Sequence, residues 1–199
     1  MGQAKRRKQE LKDHLLLQTD WWTFPSSEWE RALVNELLDM PAYPVPRMDE
    51  ADMAAMKMAP NQCHANTRWY ERNDPTGRSK AVSGWWMKNT DFVLHSVMKD
   101  GDQYFCVTPG DPGENELIFI PDPDIVWVER GASCAAIRNG EEVGVGVRRF
   151  PALTIGLFQM MRYRLFIGMD PDQAQYFSDE EMNALMRQHL TAEEMEELR

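Results

Sequence analysis

Three short segments, residues 79–87, 92–99 and 103–108, are rich in valine and aromatic residues and are separated by the polar tetrapeptides K-N-T-D and K-D-G-D. Such runs are typical of strands, in which successive side chains face opposite sides of the sheet. Short connections that contain Asn, Asp or Gly join neighbouring strands as hairpins. The sequence therefore predicts a three-stranded antiparallel meander, and the fold of the chain has to be built around it.

The segments on either side of the meander predict a mixed α+β fold. Residues 117–120 and 125–128 have the character of two more strands, and Asn139-Gly140 predicts a small two-stranded ribbon. A helix is expected to begin at Cys63. Pro151 suits the first turn of another helix, whose apolar stripe is expected to pack on the sheet.

The predicted core, residues 48–150, consists of one helix packed on an antiparallel sheet. A basic helical extension, residues 1–47, precedes the core. A second helical extension with an acidic tail, residues 151–199, follows it. The chain is long enough for one hydrophobic core of ordinary size, so we expect one domain with helices at both ends.

The composition is that of a globular protein. Of 199 residues, 43% are hydrophobic and 27% are charged, and the net charge of -10 argues against a nucleic-acid-binding surface over the whole protein. No apolar run is long enough to cross a bilayer, no signal-peptide pattern is present, and three cysteines form no framework of pairs. We expect a cytoplasmic protein without a membrane partner, and the sequence leaves its oligomeric state open.

The two ends of the chain carry opposite charge. Basic residues are concentrated near the start, at Lys5, Arg6, Arg7, Lys8 and Lys12, whereas acidic residues predominate from residue 170 onward. Such runs are most often solvated. The basic start is also suited to contact an acidic partner or a nucleic acid, and the two ends are suited to attract each other within one molecule or between molecules.

Cys63 and His95 have the chemistry of a nucleophile and its base. The unpaired N–H groups of a helix start are expected to lower the pKa of the Cys63 thiol and to receive an oxyanion, with Asn61 or Gln62 as a further amide donor. The alternative is structural, because Cys is among the most often buried residues and a His on an apolar strand is often part of the core. No cofactor is expected, and neither a C-x-x-C nor an H-x-x-x-H pair indicates a metal site.

The order of these residues resembles that of the papain-like cysteine enzymes, in their transglutaminase-like branch. That family has a Cys at a helix start, a strand with Val-x-Gly-aromatic that an Arg often precedes, a strand with His followed by Ala or Ser and then Val or Trp, and a strand that ends in Asp-x-Thr-Pro. The matching residues are Cys63; Arg78, Val82, Gly84 and Trp85; His95, Ser96 and Val97; and Val107, Thr108 and Pro109. The resemblance implies an α+β fold and a thioester formed at Cys63, with His95 as base and then as acid.

One position departs from the family pattern, because Cys106 stands where the Asp that orients the imidazole is placed. Thr108, on the same strand face, is expected to hold the ring instead, and the loop carboxylates Asp111 and Asp122 are further candidates. Two functions stay open. One is a Cys63-dependent amide hydrolase or acyltransferase that acts on a peptide, a glutamine side chain or a conjugate. The other is a non-catalytic accessory or inhibitory protein, for example a phage-encoded one, that binds a protein partner with a degenerate form of the same fold.

Overall fold

The computed structural model describes residues 2–110, 113–131 and 133–198 and has a mixed α+β fold. Its helices are α1 (Gln3–Trp22), α2 (Glu28–Asp39), α3 (Glu50–Ala55), α4 (Cys63–Asn73), α5 (Pro151–Phe166), α6 (Pro171–Ala174), α7 (Asp179–His189) and α8 (Ala192–Glu197). Its strands are β1 (Tyr43–Pro46), β2 (Lys80–Lys88), β3 (Asp91–Asp100), β4 (Gln103–Phe105), β5 (Glu116–Pro121), β6 (Ile125–Arg130), β7 (Ser133–Arg138), β8 (Glu141–Val143) and β9 (Gly146–Arg148).

The described residues form two compact units. The first contains the residues up to Arg31 together with those from Arg148 onward, and the second is Ala32–Val147. The two ends of the chain therefore belong to one unit. The predicted segment boundaries after residues 47 and 150 stay predictions.

The first unit is helical, and α1 packs on α5 in the antiparallel sense. Leu15 of α1 is buried with Met161 and Leu165 of α5, and the ring of Trp22 at the end of α1 stacks on Phe158 with 6.2 Å between centroids. The apolar stripe of α5 thus packs on a helix, whereas a sheet was its expected partner. In the described part of the chain, no helix has both the length and the apolar character needed to cross a membrane.

A buried ion pair joins Glu30, near the start of α2, to Arg148, the last residue of β9. Glu30 and Arg148 are each 1% exposed, and the guanidinium donates from Nε and Nη2 to the two carboxylate oxygens at 2.8 Å. The backbone amide of Arg148 donates to the same carboxylate, and Nη1 donates to the carbonyls of Trp22 and Phe24. Every polar group of this pair is therefore satisfied inside the first unit.

The second unit is built on a closed five-stranded barrel. β2, β3 and β4 form the predicted antiparallel meander, β5 pairs with the other edge of β2, and β1 pairs with β5. Cys106, directly after β4, bonds back to β1. Its amide donates to the Pro46 carbonyl at 2.8 Å, and its carbonyl accepts from the Met48 amide at 2.9 Å. These bonds close the ring of strands, and this closure was not predicted from the sequence.

A smaller sheet of β6, β7 and β8 belongs to the same unit. Asn139 and Gly140 have φ angles of 50° and 89°, as a tight two-residue hairpin requires, so the predicted ribbon is confirmed. Asp122 links this sheet to the barrel. Its buried carboxylate accepts hydrogen bonds from Trp85 Nε1 of β2 and from Arg138 Nε of β7, each at 2.7 Å.

Candidate functional site

Cys63 is the first residue of α4, as predicted, and its sulfur lies against β3. Backbone amides of Ser96, His64 and Cys63 itself are hydrogen-bonded to the sulfur and favour the thiolate. Burial is the larger effect, however, and raises the pKa of Cys63 to about 11. The expectation of a lowered thiol pKa is therefore wrong for this structure, because the cost of removing the thiolate from water exceeds the stabilisation from the amides.

His95 lies inside the barrel. Its ring packs on Trp86 and Phe119, with centroid distances of 5.6 and 6.4 Å, and its Nε2 is 3.4 Å from the sulfur of Cys106. The residue is 4% exposed. Burial, with a smaller contribution from the nearby His64, lowers the pKa of His95 to about 3. The ring is therefore neutral at neutral pH and is surrounded by the barrel core.

Ser96, the next residue of β3, occupies the outer side of the barrel and meets α4. His64 Nδ1 lies 2.7 Å from Ser96 Oγ, Ser83 Oγ is 3.2 Å from Ser96 Oγ, and Trp127 Nε1 donates to Ser83 at 2.9 Å. Burial, followed by the charge of Arg68, lowers the pKa of His64 to about 4. This hydrogen-bonded chain was not predicted from the sequence. The pattern that could have indicated it is the geometry of a strand, which places consecutive residues of β3 on opposite faces.

Thr108 does not hold the His95 ring. Its buried hydroxyl accepts a hydrogen bond from Asn66 Nδ2 at 3.1 Å. Asn66 stands one helical turn after Cys63 and also exchanges hydrogen bonds with the backbone of Ala59. Thr108 therefore fixes the first turn of α4 to the end of the β4 segment, which is a structural role.

The other candidates also lie away from the imidazole. Asn61 and Gln62 precede Cys63 and are exposed, and their side-chain amides have no hydrogen-bond partner among the described residues. Asp122 is bound by a tryptophan and an arginine, as described above. Asp111 lies outside the described residues.

Cys106 contacts a guanidinium on its other side. Arg47 places Nη1 3.4 Å from the sulfur and 2.7 Å from the Thr108 carbonyl, and its Nη2 is 2.8 Å from Glu114. Burial nevertheless raises the pKa of the Cys106 thiol, although hydrogen bonds from Thr108 and the charge of Arg47 oppose the shift. Arg47 also lines a cavity of about 500 Å³, together with Met48, Asp49, Glu50, Met53, Gly110, Glu114 and Asn115.

Two thiols and two imidazoles, those of Cys63, Cys106, His64 and His95, form a cluster between α4 and the barrel. All four are uncharged at neutral pH. In the described part of the chain no hydrogen bond joins Cys63 to His95, so a proton has no direct path between them. Cys106 supplies no negative charge that would stabilise an imidazolium. Within residues 2–110, 113–131 and 133–198, no three His, Cys, Asp or Glu side chains are placed to hold a metal ion. In this conformation the cluster joins α4 to the barrel and does not form a nucleophilic pair.

A comparison of the chain with protein-family models, with curated proteins and with solved structures finds no match. The resemblance to papain-like enzymes therefore stays a prediction that depends on the order of a few residues. Any function for this chain has to be inferred from its own geometry and chemistry.

Proposed function

We propose that this protein acts by binding a protein partner, as an accessory or inhibitory protein with a degenerate form of a cysteine-enzyme fold. The observation that carries the proposal is the position of the His95 ring, which is enclosed in the barrel with its Nε2 directed at Cys106. A general base has to reach the proton that it removes. The enclosed ring contacts the wrong sulfur for attack by Cys63, and it is 4% exposed.

The protonation states support the same proposal. A cysteine nucleophile reacts as the thiolate, and its pKa is usually lowered by a neighbouring positive charge. With a thiol pKa of about 11, Cys63 is a thiolate in roughly one molecule in ten thousand at pH 7. An imidazole with a pKa of about 3 contributes no positive charge to favour it. We therefore propose that Cys63 and His95 have a structural role, as part of the packing of the second unit.

A Cys63-dependent amide hydrolase or acyltransferase is the second candidate, and one observation favours it. Three backbone amides converge on the Cys63 sulfur at the start of α4, and such amides can stabilise an oxyanion that forms beside a thioester. This function requires another conformation, in which an imidazole reaches the sulfur and an amide substrate reaches both. Cys63 would then attack the amide carbon, and the imidazole would return the proton to the leaving amine.

Iodoacetamide labelling, followed peptide by peptide at neutral pH, distinguishes the two functions. We expect Cys134, which is exposed, to be labelled first. Cys63 is buried and is expected to react on the order of a hundredfold more slowly than in the unfolded chain, because few molecules carry the thiolate. Cys106 is also buried and has a raised pKa, so it too is expected to react more slowly than in the unfolded chain. The urea-unfolded protein supplies the reference rates.

The His95→Ala variant makes this test specific, with His189→Ala as the matched control in the other unit. If Cys63 is labelled faster than Cys134 in the native protein, and the excess is lost in His95→Ala but kept in His189→Ala, the binding proposal is wrong and the enzyme proposal holds. Far-UV circular dichroism establishes that both variants are folded.

A further inference from the structure

An exposed apolar surface stands at the end of α5 in the first unit. Phe166 is 86% exposed, Tyr176 is 73% exposed, and Tyr163 and Ile167 are each more than half exposed. Single exposed apolar residues are ordinary, whereas several side by side mark a contact surface. Together with Met169, which is 36% exposed, these four residues are called the apolar cap.

The backbone beneath the apolar cap is well bonded. α5 ends in a Schellman turn, in which Gly168 has a φ of 86° and the Met169 amide donates to the Arg164 carbonyl at 2.9 Å. Nη1 of Arg164 also donates to the Tyr176 carbonyl at 2.6 Å and so holds the chain after α6 against α5. The exposure of Phe166 is therefore a property of a fixed turn.

Basic residues of α1 lie beside the apolar cap. Because α1 runs antiparallel to α5, its first turns reach the end of α5, and Lys8 forms an ion pair with Asp170 at the start of α6. Lys5, Arg7 and Lys12 stand around Lys8 on α1, and among the described residues they have no carboxylate partner. These three residues are called the basic turn, and their charge is available to an anionic partner.

We propose that the apolar cap and the basic turn together dock the protein on an anionic lipid surface, in contrast to the sequence-based expectation of no membrane partner. Phenylalanine, isoleucine and methionine side chains enter the boundary of the acyl chains, tyrosines lie at the headgroup level, and Lys and Arg attract anionic headgroups. The apolar cap supplies the first two classes, and the basic turn supplies the third on α1, whose Lys8 is paired with Asp170 directly after the cap residue Met169.

The aliphatic members of the cap favour lipid over a single-stranded nucleic acid, because Ile167 and Met169 offer no ring on which a base can stack. The ring of Phe166 is 86% exposed. An acidic protein would need a pocket shaped to fit this ring, whereas a fluid lipid boundary can accommodate it without a preformed pocket. The inference goes beyond the proposed function and is independent of it, since the cap belongs to the first unit and Cys63 to the second.

Co-sedimentation of the full chain with vesicles tests this inference. We expect binding to vesicles of phosphatidylcholine with phosphatidylserine, weaker binding as salt is raised, and no measurable binding to phosphatidylcholine alone. Phe166→Asp is expected to lower the partition coefficient by about tenfold or more, because a large apolar side chain is removed from the contact. The double variant Lys5→Glu/Arg7→Glu is expected to lower it by about tenfold or more through charge.

Val126→Asp, an exposed apolar position in β6 of the other unit, and Arg31→Glu, an exposed cation outside the basic turn, are the matched controls and should bind as the native protein does. The inference is overturned if the native protein ignores both kinds of vesicle, if it binds them equally, or if Phe166→Asp binds unchanged. It is also overturned if the native protein binds a single-stranded oligonucleotide or an acidic polypeptide in preference to the anionic vesicles. All of these outcomes leave the cysteine labelling result untouched, so the two proposals fail separately.

Discussion

Replacing Arg148 by Met is expected to lower the free energy of unfolding by about 3–5 kcal/mol, because the substitution leaves the Glu30 carboxylate buried without its partner. Both side chains are almost completely enclosed, and the guanidinium also satisfies the carbonyls of Trp22 and Phe24. A buried charge that loses its partner costs much more than an exposed one. Urea unfolding followed by circular dichroism measures the effect.

The matched control is Arg162→Met. Its pair with Asp20 is more than half exposed at both side chains, so we expect a loss of at most about 1 kcal/mol. The double variant Glu30→Met/Arg148→Met should be more stable than Arg148→Met alone, since the unpaired carboxylate is removed as well. An Arg148→Met loss as small as that of Arg162→Met would contradict the buried ion pair.

Gly84→Ala is expected to cost on the order of 3 kcal/mol of stability. A Cβ at position 84 would lie 2.1 Å from the carbonyl oxygen of Ile120 and 2.7 Å from the ring of Phe119. The oxygen belongs to the backbone of β5, which pairs with β2 at this point. The clash with the added methyl group could therefore be removed only if the two strands of the barrel separated. Thermal or urea unfolding of the variant measures the cost.

Gly144→Ala is the control for this prediction, because a Cβ at position 144 meets no atom within 4 Å. We expect its stability to change by less than about 1 kcal/mol, in either direction. If Gly84→Ala unfolded at the same urea concentration as Gly144→Ala, the close approach of β2 and β5 would be wrong.

Local signals were sufficient to predict much of the fold. The strand-forming residues and the turns of residues 79–108 led directly to β2, β3 and β4, and Asn139-Gly140 led to the hairpin between β7 and β8. The start of α4 at Cys63 was likewise predicted. Ser178 with Glu181 forms the capping box that its spacing indicates at the start of α7. Each of these features depends on residues close together in the sequence.

Long-range features were not predictable in the same way. The barrel closes through a bridge between Arg47 and Cys106, which no local pattern specifies. Strand alternation placed His95 and Ser96 on opposite faces, yet only the position of α4 in the fold decides which of the two meets Cys63.

The pKa of Cys63 could not be predicted from its position at a helix start alone. That position supplies backbone amides that favour the thiolate, as expected. The opposing cost of burial depends on how completely the thiol is enclosed, and α4 packs on β3, which is distant in sequence. Burial exceeds the helix effect, so the direction of the shift is reversed.

The charge on the His95 ring is the property on which the proposed function depends most directly. We suggest measuring its ring nitrogen chemical shifts by NMR in the folded protein from about pH 8 to about pH 5, with His95→Gln to identify the signals. The structure predicts a neutral ring over this whole range, whereas the same ring in the urea-unfolded chain should gain its proton near pH 6.5. A folded protein in which His95 is positively charged at about pH 7 and loses that charge in Cys63→Ala would contain a thiolate–imidazolium pair, and that result would contradict a closed, non-catalytic cluster.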